Sequence, residues 1–262
     1  MENIPPKLAS SGAIEIAEKL KTISGGKILD IAAGDGDFIL TLINFLKNYE
    51  SVIGIDTDEN EIKKARLRMK NKPITIKKMK GEKLRYTDET FDLVSIANSL
   101  HHMQYLNITL SEMKRVLKNN GYFIIQEMFC DANQTEAQKC DTAAHILGAE
   151  IDSMSGIYHR KVFSRNEILN IVSQMGLKDL EILESTRYVK CLTCEEKYNC
   201  ENPKNPELVN FALEDIDKTL EPIKEYKDYS EYRQRADTIK QRIKNQGSAS
   251  ASILFCIGKK ED

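Results

Sequence analysis

The sequence predicts a doubly wound α/β fold: a seven-stranded, mostly parallel sheet with helices on both faces and a helical insertion before the last strand. Three observations predict it. Short apolar runs rich in β-branched residues alternate with helical patterns through the first half of the chain. The first strand ends in an acidic, glycine-containing turn, and a long helical stripe separates the last two strand patterns.

Residues 12–22 place Ile14, Ala17 and Leu20 on one helical face. "KILDIA" is a nearly unbroken apolar run, as a central strand buried on both faces requires. "FILTLINFLKN" reads as a buried helix and "SVIGID" as the second strand. "DENEIKKARLRMK" is a helix with acids in its first turn and bases in its last, matching the helix dipole, with Asp58 as its cap. "PITIKKM", "FDLVSIAN" and "GYFIIQEMF" are the third to fifth strands, with the helix "LSEMKRVLKN" before the last of them. Residues 130–163 are polar and irregular with some helical character; "SRNEILNIVSQMG" is a marked helix; "LKDLEILESTRYV" and "SASILFCIG" are strands. Leu208, Phe211, Ala212, Ile216, Leu220 and Ile223, continued by Tyr229, Tyr232, Ala236, Ile239 and Ile243, form the stripe of the inserted helices. The expected organisation is a ligand-binding core over 1–130, a lid and acceptor segment over 131–163, the rest of the core over 164–186 and 248–262, and a cysteine-containing helical insertion over 187–247.

With 262 residues, 41% apolar and 30% charged, the chain has the composition of an ordinary globular protein with room for that insertion. A formal charge of −2 gives nucleic-acid binding no support. No apolar run reaches the ~20 residues needed to cross a bilayer. "MENIPPKLASSG" lacks a basic-then-apolar leader, so a cytoplasmic location is expected, as a monomer or homodimer.

The turn after the first strand decides the ligand class. A dinucleotide turn reads G-x-G-x-x-G, so that a pyrophosphate can rest on exposed N–H groups. Here Gly34 and Gly36 are present, but Ile39 stands at the third position, and Asp30, Asp35 and Asp37 surround the place where phosphates would lie. Their charges favour a cationic or neutral ligand. Asp56, ending the second strand, can accept hydrogen bonds from ribose hydroxyls.

Four segments, "ILDIAAGDGDF", "VIGIDTDENEIKKA", "GEKLRYTDETFDLVSIANSLHHM" and "EMKRVLKNNGYFIIQE", resemble the successive motifs of class I S-adenosylmethionine-dependent methyltransferases, with the nearest likeness to the ubiquinone/menaquinone-biosynthesis type. The likeness covers roughly residues 10–130 and implies a Rossmann-like fold, methyl transfer to a small-molecule acceptor, and S-adenosylmethionine as cofactor. It implies that Asp30, Ala32, Gly34 and Gly36 surround the methionine part, that Asp56 holds the ribose, that Thr57 lies beside the adenine and that Asn98 closes the site. That cofactor has no phosphates and carries a sulfonium and an ammonium group, which suits the acidic turn. The sequence departs from the family twice. Ala32 replaces the first glycine, and "MKGEKL" puts Lys80 where an acidic residue bonds the adenine amine; lysine only donates. Either Glu82 or a backbone carbonyl beside it, with Gly81 in that segment, takes over that contact, or adenine binding is weaker than usual in the family.

In-line transfer needs alignment and exclusion of water more than covalent help; a base is needed only if the acceptor must lose a proton. The chain has four histidines. His101 and His102 follow the fourth strand and read as structural. Tyr158 and His159, in the segment expected to cover the acceptor, are the catalytic candidates, and His145 shares that segment. Cys191, Cys194 and Cys200 leave three readings open: three ligands of a structural zinc, completed by Cys130, Cys140 or His159; ligands of a substrate metal or metalloid; or three unrelated thiols on a loop. Two rival functions also stand: a non-catalytic cofactor- or metal-binding protein on the same fold, and an NAD-dependent oxidoreductase.

Overall fold

A computed structural model describes residues 13–131, 134–185 and 202–261. The chain divides into two compact units. Among the described residues, the sheet unit takes 14–127, 166–183 and 254–261, and the helical unit takes 128–131, 134–165, 184–185 and 202–253.

In the sheet unit the order of elements is α1 (Ala13–Lys21), β1 (Lys27–Ile31), α2 (Asp37–Phe45), β2 (Ser51–Asp56), α3 (Glu59–Arg68), β3 (Ile74–Lys78), β4 (Phe91–Ala97), α4 (Leu106–Val116), β5 (Leu117–Phe129), α6 (Arg165–Gln174), β6 (Leu177–Ser185) and β7 (Ser252–Lys260). The seven strands form one sheet in the order β3-β2-β1-β4-β5-β7-β6, and β1 to β5 pair in parallel. β1 is central: Asp30 lies opposite Gly54 of β2 and Ser95 of β4. Ile28, Leu29, Ile31, Val52, Leu93, Val94, Ile96 and Phe123 are all buried, each worth roughly 1.5–3 kcal/mol of transfer free energy. Gly54 lets α2 lie against β2, since a Cβ there would come within 2.7 Å of Ile39 Cδ1.

Local chemistry sets the helix ends. Asp58 caps α3 by accepting from the N–H groups of Asn60 and Glu61 at 2.7 and 3.0 Å. Glu59 and Glu61 lie in its first turn, and Arg66 and Arg68 in its last.

The helical unit is built on α5 (Glu136–Met154), α7 (Pro206–Leu220) and α8 (Tyr229–Gln246). Residues 130–163, which read as irregular with some helical character, contain a helix of 19 residues. A capping box starts it: Thr135 Oγ1 accepts from Gln138 N–H, and Gln138 Oε1 accepts from Thr135 N–H. Cys140, Leu147, Ile151, Ile216, Leu220, Ile223, Ala236 and Ile243 make one buried cluster. The stripe expected of the inserted helices is therefore largely the core face, except Phe211, which is 60% exposed, and Leu208; Val209 and Leu213, each one position outside the expected stripe, pack on the cluster.

Candidate active site

Because β1 pairs with both β2 and β4, the C-terminal ends of these three strands lie side by side, as parallel sheets require of a ligand site. Asp30 is on β1 with its side chain buried, and it accepts a 2.6 Å hydrogen bond from Ser95 Oγ. Burial pushes its pKa up to about 7; the Ser95 bond opposes that shift and the nearby Asp56 charge adds to it. Near neutral pH this carboxyl is poised between its two forms, and a cation beside it would favour the charged one.

The turn that follows is held by Asp56. Its Oδ2 accepts from Gly34 N–H at 2.8 Å, and its Oδ1 accepts from the N–H groups of Thr57 and Asp58 at 2.7 and 2.9 Å. The turn winds through positive φ at Ala32 (53°), Gly34 (52°) and Gly36 (95°). Glycine tolerates this region and alanine does not, so Ala32 sits in a strained conformation. A Cβ built on Gly34 would meet nothing within 4 Å, so the turn has open space beside it. Gly36 is the N-cap of α2 and carries no side-chain cap.

The aspartates of the turn differ from the expectation that all three repel phosphate. Arg68, at the end of α3, meets Asp35 at 2.5 Å and Asp37 at 2.6 Å. One guanidinium serves both carboxylates, so much of their field is already balanced. Asp30 and Asp56 carry the argument against a pyrophosphate. Arg68 and Ser95 were not singled out by motif; the signal for Ser95 was a hydroxyl inside the apolar run "FDLVSIAN", directly across from Asp30.

Residues 79–82 lie beside the same strand ends. Met79 N–H donates to the Asp56 carbonyl at 2.9 Å. Gly81 is buried so closely that a Cβ would come within 2.9 Å of Thr109 Cγ2 and 3.1 Å of Ile31 Cγ2. Thr57 and Lys80 are exposed, and Glu82 is half-buried with no hydrogen bond to its side chain among the described residues. Asn98 follows β4 with φ 46° and donates its N–H to Gln126 O at 2.8 Å.

His101 is fully buried with Glu127: Nδ1 lies 2.7 Å from Glu127 Oε1, and Glu127 Oε2 accepts from Leu100 N–H at 2.7 Å. This pair ties the segment after β4 to β5, in keeping with a structural histidine. In the helical unit, Tyr158 is 43% exposed while His159 is buried. His159 Nδ1 lies 2.7 Å from Asp152 Oδ2, and its Nε2 lies 3.1 Å from His145 Nε2. Asp152 was not anticipated, because it becomes a neighbour of His159 only through the bend after α5. Cys191, Cys194 and Cys200 lie outside the described residues. Of the fourth ligands considered for them, Cys130 is exposed and Cys140 is buried in the helical core.

Residues 29–125 match the family described as methyltransferase domain. The chain is 29% identical over 178 residues to a demethylmenaquinone methyltransferase of Lactobacillus johnsonii, covering 63% of this chain and 73% of that one. It is 31% identical over 125 residues to a ubiquinone/menaquinone biosynthesis C-methyltransferase of Paraburkholderia phytofirmans, covering 45% of this chain and 51% of that one. Among solved structures, phosphoethanolamine N-methyltransferase 2 of Haemonchus contortus, in complex with S-adenosyl-L-methionine, superposes with a TM-score of 0.54 at 17% identity, over 95% of this chain and 52% of that one. The [4+2]-cyclase SpnF superposes with a TM-score of 0.56 at 14% identity, over 97% and 84% of the two chains. At these identities the two structures speak for the fold alone. The sheet order is that of a Rossmann-like doubly wound fold, the fold of the methyltransferase structures it superposes on. Over residues 29–125 the chain is similar to the methyltransferase-domain family, and the relatives it resembles are named as methyltransferases. Among the described residues, no helix is long and apolar enough to cross a membrane.

Proposed function

We propose that the ends of β1, β2 and β4 hold S-adenosylmethionine, and that the helical unit recognises the small-molecule acceptor of an in-line methyl transfer. The observation that carries the cofactor reading is the pairing of a buried, chargeable Asp30 with open space beside Gly34. A cationic ligand without phosphates suits both features; a pyrophosphate would meet the Asp30 and Asp56 carboxylates. When bound, the cofactor supplies a methyl group already activated on a sulfonium. The protein supplies position and charge.

Asp30, Ala32, Gly34 and Gly36 surround the methionine part, with Asp30 facing the positive groups. Asp56 takes the ribose. A carboxylate has roughly four acceptor positions, and three backbone N–H groups already use the Asp56 oxygens, so one ribose hydroxyl can bond there while the turn keeps its shape. Thr57 lies along the adenine, and Gly81 and Glu82 replace the missing acidic partner of its amine. The unengaged Glu82 carboxylate supports that role. Asn98 closes the site after β4.

Tyr158 and His159 are assigned to the acceptor, with Asp152 fixing the orientation of the His159 ring. The relatives named for demethylmenaquinone make a reduced naphthoquinone the first acceptor to try, followed by phenols, thiols and amines. We place the enzyme in the cytoplasm, as a monomer or homodimer.

Calorimetric titration with S-adenosylmethionine and with NAD tests the cofactor. Micromolar binding of the first and none of the second is expected; the reverse would overturn the reading. Sustained formation of S-adenosylhomocysteine with any acceptor excludes a non-catalytic binding protein. Product formation without consumption of S-adenosylmethionine would instead make the fold serve another reaction, as it does in the cyclase.

A further inference from the structure

The two histidines of the helical unit bring their Nε2 atoms to 3.1 Å from one another. His145 and Asp152 lie about two turns apart on α5 and so share one face of it. Beyond Met154 the chain turns back: Ser155 N–H donates to Ile151 O, and Ile157 N–H donates to Asp152 O at 2.9 Å. Gly156 takes φ 78° in this bend, and Ser153 Oγ donates to the carbonyls of Ala149 and His159 at 2.8 and 3.1 Å. The result clamps His159 beside the end of the helix. Its Nδ1 faces Asp152 Oδ2 at 2.7 Å and its Nε2 faces His145 Nε2 at 3.1 Å, with the His159 side chain only 6% exposed.

The ring positions separate two explanations. Two imidazoles bonded head-on through Nε2–H···Nε2 at this N···N distance would hold their ring centres about 5.4 Å apart. The centres here are 4.9 Å apart, with the rings at 76°. The Nε2 axes are therefore not collinear, and an arrangement in which they converge on one point fits both separations. For a symmetric pair with these separations they cross about 2 Å from each nitrogen, which is the length of a Zn–N bond. An N···N distance of 3.1 Å also falls between the roughly 2.9 and 3.3 Å that octahedral and tetrahedral ligands at that bond length span. Asp152 adds a second, independent sign. A histidine that ligates a metal through Nε2 characteristically gives its Nδ1–H to a carboxylate, which fixes the tautomer and makes the ligating nitrogen more basic.

We propose that His145 Nε2 and His159 Nε2 are two ligands of a divalent transition-metal ion of the zinc class, with Asp152 as the carboxylate that orients His159. Imidazole nitrogen suits zinc, cobalt, nickel and copper, and two histidines leave further coordination positions for water or another donor atom. An oxygen or sulfur of an acceptor bound at such a position would lose its proton to solvent near neutral pH, because the ion stabilises the anion. This use of the ion rests on the acceptor role proposed above for His159; the metal site itself rests only on the geometry of the helical unit. It is distinct from the cysteine cluster in donor chemistry, which gives the two different spectra.

The test uses the full chain, stripped with chelator and titrated with Co²⁺ and Zn²⁺. Elemental analysis should find that His145→Ala and His159→Ala each bind about one ion per chain fewer than the parent protein. The Cys191→Ser, Cys194→Ser, Cys200→Ser triple variant should keep that ion, and its cobalt form should show visible d–d bands without the intense near-ultraviolet band of a thiolate ligand. Asp152→Asn should bind the ion roughly 10- to 100-fold more weakly, a change a misfolded variant would not reproduce together with an unaltered circular dichroism spectrum. Equal metal content in the parent and both histidine variants would overturn the site, as would no binding of either ion at micromolar concentration. Titration of S-adenosylmethionine into the same samples reads the cofactor site separately. Metal-free protein that binds the cofactor refutes this proposal alone; metal-loaded protein that does not bind it refutes the proposed function alone.

Discussion

Asp56 at the end of β2 gathers three backbone N–H groups, whereas Asp152 on α5 faces one imidazole side chain. The first arrangement builds a turn: its partners are the peptide groups of Gly34, Thr57 and Asp58, and their placement follows from strand pairing and short loops. The second brings side chains together at the bend that follows a helix, a bend held by its own backbone hydrogen bonds. A site made from backbone constrains the sequence around it, through glycines and strand-end acids at fixed offsets. A site made from side chains on a helix requires only a few residues, spaced by turns that many sequences allow. The two regions also stand on separate cores, one under the sheet and one formed by α5, α7 and α8.

The largest expected effect tests that separation. Leu220 is buried in the helical cluster, and Leu220→Ala should cost about 2–5 kcal/mol of stability through lost burial and the cavity left behind. Thermal or denaturant unfolding measures the loss. Below the unfolding transition, S-adenosylmethionine affinity should stay within about twofold of the parent protein. A large fall in affinity would mean that the helical core shapes the strand-end site, and the contrast between the regions would break.

Asp56→Ala comes next. It removes the acceptor shared by the turn and the cofactor, and should weaken S-adenosylmethionine binding roughly 10- to 100-fold. Asp56→Asn keeps one acceptor oxygen but sets an amide donor against a backbone N–H, so its affinity should fall between the two. Calorimetry checks both, and an unchanged affinity in the alanine variant would remove Asp56 from the site.

The strands and most helices were legible because each carries its own period and its own punctuation. β1 is four buried residues after an exposed one, and α3 opens on an aspartate cap with acids and bases at the proper ends. The cofactor turn was legible for the same local reason. Longer-range chemistry was not. Ser95 touches Asp30 only because β4 pairs beside β1 in one register. Arg68 pairs with both Asp35 and Asp37 from the far end of another helix and offsets part of their charge. α5 was obscured because its polar and apolar residues do not fall into a clean stripe over "TEAQKCDTAAHILGAEIDSM", so its extent rests on a capping box and on tertiary packing.

Asp30 gives a smaller, pH-dependent effect. Its folded pKa, near 7, lies above the ordinary value of 3.8 because burial disfavours the charge. The folded state therefore holds the proton that the unfolded state has released between those values. The contribution of this group to stability is full below the ordinary carboxylate range and falls as pH rises towards 7. Cofactor binding should run the other way. A cationic ligand prefers the ionised form, so affinity should rise by roughly three- to tenfold from about pH 6 to about pH 7.5, with proton release visible in calorimetry across buffers of different ionisation enthalpy. Asp30→Asn should flatten this rise. A slope kept in the variant would assign the proton to another group.

The smallest effect concerns Ala32, where the sequence departs from the glycine of the family and the backbone does not. At φ 53° the alanine Cβ crowds its own carbonyl, a cost of about 1–2 kcal/mol for an L-residue in this region. Glycine removes that strain, but it also frees the unfolded chain, which returns roughly 0.4–1 kcal/mol in the opposite direction. Ala32→Gly should thus stabilise the protein by up to about 1 kcal/mol, read as a higher denaturation midpoint with an unchanged denaturant slope. Cofactor affinity should change little or fall slightly, since the strained alanine already holds the turn in its binding shape and a glycine must be ordered to reach it. A destabilised variant would show that the Ala32 methyl group makes packing contacts worth more than its strain. The turn of the sheet unit would then depend on side-chain contacts, as the histidine corner does, and the contrast between the two regions would narrow.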